Sequence, residues 1–222
     1  MEDTPMDILE LIRERQQALH EQEIKSLWDP LTEEQLRARP FETTNSIVWL
    51  VWHMARCEDA GINRLVADRP QVLDEGDWGR RMNVPLRIYG TDMGDEEVRA
   101  LSELVDVKAL RAYYDAVGNR TVEILQSLTP EELDEVPDDA RLQKVLVGEG
   151  VVGEIGEMNP PRYSGRPKGW LLNHFSVTHN HHHFGEAFAV RGLLGVRRRT
   201  GDGTGRVAPD WDLAQARVAR NT

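Results

Sequence analysis

Cysteine is almost missing from this chain: there is one thiol, Cys57, in 222 residues. A lone cysteine excludes an intrachain disulfide, so the fold must be held by its core and not by staples. Aromatic residues make up only 6%, and no apolar run reaches the roughly 18 residues that a membrane-crossing helix needs. Positive charge is scarce: 27 Lys plus Arg face 38 Asp plus Glu, a formal net charge of -11. Phosphate backbones are bound by basic footprints, so nucleic acid is not an expected partner. The opening MEDTPMDILELIRERQQ is acidic and amphipathic, unlike a secretory leader with its basic start and apolar middle. Together these absences predict a cytoplasmic protein with no membrane partner. Lysine is rarer still, 4 residues against 23 Arg, a bias that favours bidentate ion pairs and matches high-GC bacterial coding.

What is present is an ordinary globular composition, 40% hydrophobic and 29% charged, at a length that suits one domain with a substantial core. The charge is uneven. Residues 197–222 carry six Arg and three Asp, a net of +3, which leaves -14 on residues 1–196. We therefore divide the chain into a domain over 1–196 and a basic C-terminal tail over 197–222. The tail is expected to lie against the acidic body or a neighbouring subunit of a homodimer, with Trp211 and Leu213 as anchors.

Helical periodicity dominates the domain. Ile8, Leu9, Ile12, Leu19, Ile24 and Leu27 predict a helix over about 5–27. Thr32 with Gln35 three residues later fits a capping box, and Pro40 closes that short helix. Asn45 or Ser46 caps a second long helix, 47-IVWLVWHMARCEDAGINRLV-66, whose first half is apolar all round and so deeply buried. Residues 67–93 lack a sustained period and are read as a crossover that packs on the bundle and covers a site. Helices are expected over 95–105 and 107–128, another begins at Thr129-Pro130, and 145-VLVGEGVVGEI-155 is read as a short hairpin within a Gly/Pro-rich loop over 137–167. A last helix runs from about 168 to 195. Four long helices with long connections predict an all-α four-helix bundle that is not a simple up-and-down array.

Four of the seven histidines fall in 179-HNHHHFGEA-187. On a helix, Leu172, Phe175, His179, His183, Glu186 and Val190 form one core-facing stripe. Two imidazoles and a carboxylate thus stand where apolar side chains belong. His181 falls roughly 160° from His183, His174 lies roughly opposite the stripe and His182 sits at its margin, so these three are read as incidental. The i, i+4 spacing of His179 and His183 places Cβ atoms roughly 6 Å apart, which suits two nitrogens on one metal ion. His53 shares a face with Leu50 and Cys57 on the second helix and needs a partner there. Alone, it reads first as a hydrogen-bonded core histidine; with the pair, all on core stripes, it completes a three-histidine metal site. Cys57 reads as a small buried apolar residue and His20 as a surface one.

The pattern LTEEQLRARP…NSIVWLVWHMARCED, followed far downstream by HNHHHFGEA, resembles the DinB-like superfamily over about residues 6–195. That superfamily includes thiol-dependent S-transferases and the mycothiol-dependent maleylpyruvate isomerase. The resemblance implies a four-helix bundle with a divalent metal, zinc or nickel, held by His53, His179 and His183. It also implies a small-molecule thiol such as mycothiol and a small electrophile as partners. The family's last motif often reads H-R-G-Q, whereas this chain has 183-HFGE-186, which adds a carboxylate beside the site. Glu186 is the candidate catalytic base, with orientation of a ligand histidine and simple pairing of a buried acid as the plainer roles. Three neutral imidazoles leave an open position on the metal, where a bound thiol is acidified. Thiol transfer or a related isomerisation is thus the leading expectation. A metal-dependent hydrolase and a non-catalytic metal-binding stress-response protein are the alternatives.

Overall fold

The structure is a computed structural model that describes residues 7–153 and 159–196. The tail over 197–222, with Trp211 and Leu213, lies outside the described residues. Four long helices carry the architecture. Helix α1 covers residues 8–28: Ile8–Ala18 is α-helical, Leu19–Glu23 is π-helical and Ile24–Trp28 is α-helical again. Helix α2 covers residues 47–66, α-helical over Ile47–Glu58 and π-helical over Asp59–Val66. Helix α3 is Val107–Ser127. Helix α4 covers residues 168–193, with π-helical Asn173–Thr178 between α-helical Lys168–Leu172 and His179–Leu193. No strand occurs among the described residues.

The starts of three of these helices, α1, α2 and α3, are chemically marked. Asp7 accepts from the Leu9 amide at 2.9 Å, Ser46 Oγ accepts from the Trp49 amide at 3.1 Å and Asp106 accepts from the Ala109 amide at 2.8 Å. Each satisfies an N–H that the first helical turn leaves without an internal partner. The capping box of Thr32 and Gln35 is present at the start of the short helix Glu33–Arg37.

The main packing pairs α2 with α3 and with α4, and α1 with the same two helices. Sequential α1 and α2 therefore stand diagonally, which requires the long connections. All of Ile47–Glu58 is buried, as the all-round apolar pattern predicts. Each large apolar side chain so buried contributes roughly 1.5–3 kcal/mol. No helix among the described residues is long and apolar enough to cross a membrane.

The crossover over 67–93 is pinned by charge. Asp59, fully buried on α2, accepts from the Val72 amide at 2.8 Å, the Leu73 amide at 2.9 Å and the Tyr113 hydroxyl at 2.6 Å. Arg56 donates to Tyr113 and Gln71, both at 2.9 Å, and to the Arg87 carbonyl. These bonds fix the segment that carries Tyr89 across the mouth of the bundle.

Two expectations change here. The hairpin expected over 145–155 does not form in its described part, residues 145–153: Asp139–Gln143 is α-helical and runs straight into π-helical Lys144–Gly148, then turns at Gly150 with φ +67. Val145, Leu146, Val151 and Val152 all bury in one apolar cluster, which a half-exposed two-strand ribbon could not achieve. The start at Thr129-Pro130 yields a 3-10 turn, Glu131–Asp134, and not an α-helix.

Candidate metal centre

His53 and the α4 histidines converge on one point. His53 Nε2 lies 3.1 Å from His179 Nε2, and the ring of His183 sits 4.7 Å from that of His53 and 4.5 Å from that of His179. One nitrogen from each of the three falls within 4.8 Å of the others. The Cβ stripe on α4 and the apolar face of α2 thus meet at their polar members.

The outer nitrogens are oriented from behind. His53 Nδ1–H donates to the Tyr89 carbonyl, and the Trp49 ring stacks on the imidazole at 4.9 Å and 10°. His183 Nδ1–H donates to Glu186 Oε2 at 3.0 Å, while Glu186 Oε1 accepts from Asn45 Nδ2 at 2.9 Å. With these protons on Nδ1, the Nε2 lone pairs of His53 and His183 point inward, the arrangement in which backbone carbonyls and carboxylates support metal-bound imidazoles. His179 Nδ1 is buried with no hydrogen-bond partner among the described residues.

Electrostatics favour the neutral ligand form. Burial, and then the neighbouring His183, lower the His53 imidazole to about 4. Burial and the adjacent His53 hold His179 well below the ordinary value of 6.5. Glu186 is kept below the usual carboxylate range, chiefly by its hydrogen bond to His183, against the opposing effect of partial burial. Two nitrogens each about 2.0–2.1 Å from one tetrahedral ion lie about 3.3 Å apart, close to the observed His53–His179 separation. Nitrogen type, inward lone pairs and spacing therefore fit a divalent cation.

The three histidines form the floor of a pocket of about 290 Å³. Tyr89 and Thr91 enter it from the crossover, and Arg162 and Tyr163 from the short helix Asn159–Tyr163. A larger cavity of about 540 Å³ lies between α1 and the start of α4, lined by Ile8, Ile12, Leu133 and Trp170. Its lining, among the described residues, holds no histidine or cysteine.

A family model of the DinB superfamily matches residues 16–187. The chain belongs to the DinB superfamily. A conserved protein from Enterococcus faecalis, known from its crystal structure, is similar in fold at 20% identity and a TM-score of 0.59, covering 87% of this chain and 100% of that one. No curated protein matches.

Within this superfamily bundle two histidines stand where the sequence did not place them. His174, read as incidental, lines the pocket, its ring 6.1 Å from that of His179 and stacked on Trp170 at 4.8 Å. At roughly 100° per residue an α-helix would set positions 174 and 179 about 140° apart. The π-helical stretch Asn173–Thr178 bonds i to i+5 and brings them onto one side. His20, read as a surface residue, has a side chain only 8% exposed. Its Nε2 lies 2.9 Å from Glu58 Oε2, and its ring stacks on Tyr114 at 4.2 Å. Glu58 also accepts from Asn180 at 2.6 Å and from Gln16 at 3.4 Å. Glycine at 118 makes this possible, since a Cβ there would stand 2.2 Å from His20 Nδ1. Cys57 is buried, its thiol pushed up by that burial, with Sγ 3.8 Å from His53 Nδ1. His181 and His182 are exposed, as expected.

Proposed function

We propose that this protein is a metal-dependent transferase that joins a low-molecular-weight thiol, such as mycothiol, to a small electrophile, or an isomerase working through the same thiol addition. His53, His179 and His183 would hold a divalent cation, zinc or nickel. The observation that carries the reading is the convergence of His53, His179 and His183 at the floor of an open pocket, in a cluster that includes no fourth ligating side chain among the described residues. A cation held there supplies Lewis acidity that lowers the pKa of a thiol bound at its open position. The protein's own residues do the rest. Tyr89 and Glu186 fix the ring orientations, Trp49 and Phe175 shield the site from water, and the pocket admits the acceptor from the side of Arg162 and Tyr163. Such chemistry belongs in the cytoplasm, where small thiols stay reduced.

Metal analysis of protein purified without a histidine tag should give about one zinc or nickel per chain, and none in the variant with His53, His179 and His183 all changed to Ala. The metal-loaded protein should conjugate members of a panel of thiols to a chromogenic aryl halide, with the rate abolished by chelator. Turnover of esters or amides without thiol would replace the transferase reading with a hydrolase. Bound metal with no turnover of either kind would leave a metal-binding protein without catalysis.

A further inference from the structure

Two of the three converging histidines have an acceptor behind the ring: the Tyr89 carbonyl for His53 and Glu186 for His183. His179 is the exception. Its Nε2 faces His53 Nε2 at 3.1 Å, while its Nδ1 is buried and meets no partner of ordinary hydrogen-bond geometry among the described residues. A neutral imidazole that offers its Nε2 lone pair to a cation carries its proton on Nδ1. That proton needs an acceptor, because a buried N–H left unbonded bears the full cost of its desolvation.

The next residue holds the complementary atom. Asn180 is fully buried, and its Oδ1 also meets no partner of ordinary geometry among the described residues. The other end of the amide is committed: Nδ2 donates to Glu58 Oε2 at 2.6 Å and to the Ser176 carbonyl at 3.4 Å. Burial opposes the charge of Glu58, but His20, Thr121 and Asn180 hold it below the usual carboxylate range, so it accepts and does not donate. The amide therefore cannot flip, and its oxygen is turned away from Glu58. Burial and the surrounding histidines lower the His179 imidazole, whereas the Asn180 side chain acts the other way, as an acceptor beside a ring nitrogen does. Tying α4 to α2 accounts for the amide nitrogen and leaves the oxygen unexplained.

We infer that Asn180 is the positioning residue of His179: its carbonyl oxygen accepts the Nδ1 proton, and Glu58 fixes the amide so that this oxygen faces the ring. Glu58 is itself held by His20 Nε2 at 2.9 Å, so the chain of bonds runs from α1 through α2 to the centre on α4. Each of the three rings then has an acceptor behind it, from a backbone carbonyl, a carboxylate and a side-chain amide in turn. The inference rests on the reading of His53, His179 and His183 as metal ligands. It adds that His179 is oriented by a buried network, Asn180 and Glu58, whose members do not line the pocket.

Magnetic resonance of the full-length protein with isotope-labelled histidines tests this, with zinc as the metal. In the zinc-loaded wild type the His179 ring proton should sit on Nδ1 and exchange with water at least about 10-fold more slowly than those of the exposed His181 and His182. Asn180→Ala should speed that exchange and lower zinc affinity by about 10–100-fold. The ring protons of His53 and His183 should keep their resonances, whereas a mere loosening of α4 would disturb His183 as well. In chelator-treated protein the same substitution should shift the His179 tautomer ratio away from Nδ1–H and toward Nε2–H by about 3- to 10-fold, the worth of one hydrogen bond. Glu58→Gln, which keeps an oxygen for the Asn180 amide, should retain most of the Nδ1–H preference. The chelator-treated arm involves no cation, so a failure to bind zinc would sink the metal reading without altering this outcome. Should Asn180→Ala not fold, the wild-type exchange rate decides. An unchanged tautomer ratio in folded Asn180→Ala would overturn the assignment. So would zinc bound through Nδ1 of His179, a His179 ring proton that exchanges as fast as that of His181, or equal disturbance of His179 and His183 in the variant.

Discussion

Glu186 accepts one hydrogen bond from His183 and one from Asn45, so its two oxygens are committed to holding a ring and a loop in place. That geometry favours orientation of the histidine over proton abstraction, and the two roles separate experimentally. Glu186→Gln keeps an oxygen that accepts from His183 Nδ1–H, so metal affinity should fall by no more than about 10-fold. Glu186→Ala removes the acceptor and should cost about 10–100-fold, the usual effect of losing a group behind a metal ligand. Competition with a fluorescent chelator measures both. Intact metal binding with a collapsed turnover rate in Glu186→Gln would restore the base role. At this scale the three converging histidines were legible because each occupies an apolar position in a helical stripe. His20 was not, because its burial depends on the missing Cβ of Gly118, far away in sequence. No local pattern reports that a distant glycine has opened a slot for an imidazole.

Helices and their caps were legible for a related reason: apolar spacing and Ser, Thr or Asp at the start act within one turn. The π-helical segments were not, since an i to i+5 bond leaves no mark in composition, and one of them decides where His174 points. The second, in α2, brings the backbone of Gly61 against α4. A Cβ at Gly61 would stand 2.2 Å from Phe175 Cγ. Phe175 is both core and pocket wall, and a ring packed on three sides has nowhere to move. Gly61→Ala should therefore destabilise the fold by about 1–3 kcal/mol, the range for overpacking, and should weaken binding in the pocket by displacing that wall. Urea unfolding with a tryptophan signal gives the first number; an unchanged midpoint would mean that α2 and α4 can separate at little cost. The misread hairpin over 145–155 shows the converse limit. Short apolar runs look alike as strand or buried helix until their burial partners are known.

Across the whole molecule, acid should act as a denaturant of the metal-free form well before the carboxylates titrate. His53 and His174 are held at about 4, and His179 well below 6.5, whereas in the unfolded chain each returns to about 6.5. Between those values the unfolded state binds more protons, so stability rises with pH and is lost as pH falls from about 6.5 toward 4. His53 alone should remove about 2 kcal/mol between pH 7 and 5. Chemical unfolding of chelator-treated protein at the two pH values checks this, and equal stability at both would show that the rings are not buried neutral. Glu58, held below the usual carboxylate range by His20, Thr121 and Asn180 although burial opposes its charge, acts in the same direction at lower pH. That carboxylate joins α1, α2 and α4 at a single level, and this has a kinetic consequence. In a bundle that has not yet docked α1 it would be a buried anion without its imidazole partner, a state costing several kcal/mol. Docking of the last helix is then all-or-none, and a sliding helix cannot trap a misregistered pocket. The centre would be completed only when the chain closes. On refolding with cobalt present, ligand-field absorbance should rise with the final phase of tryptophan fluorescence and never ahead of it.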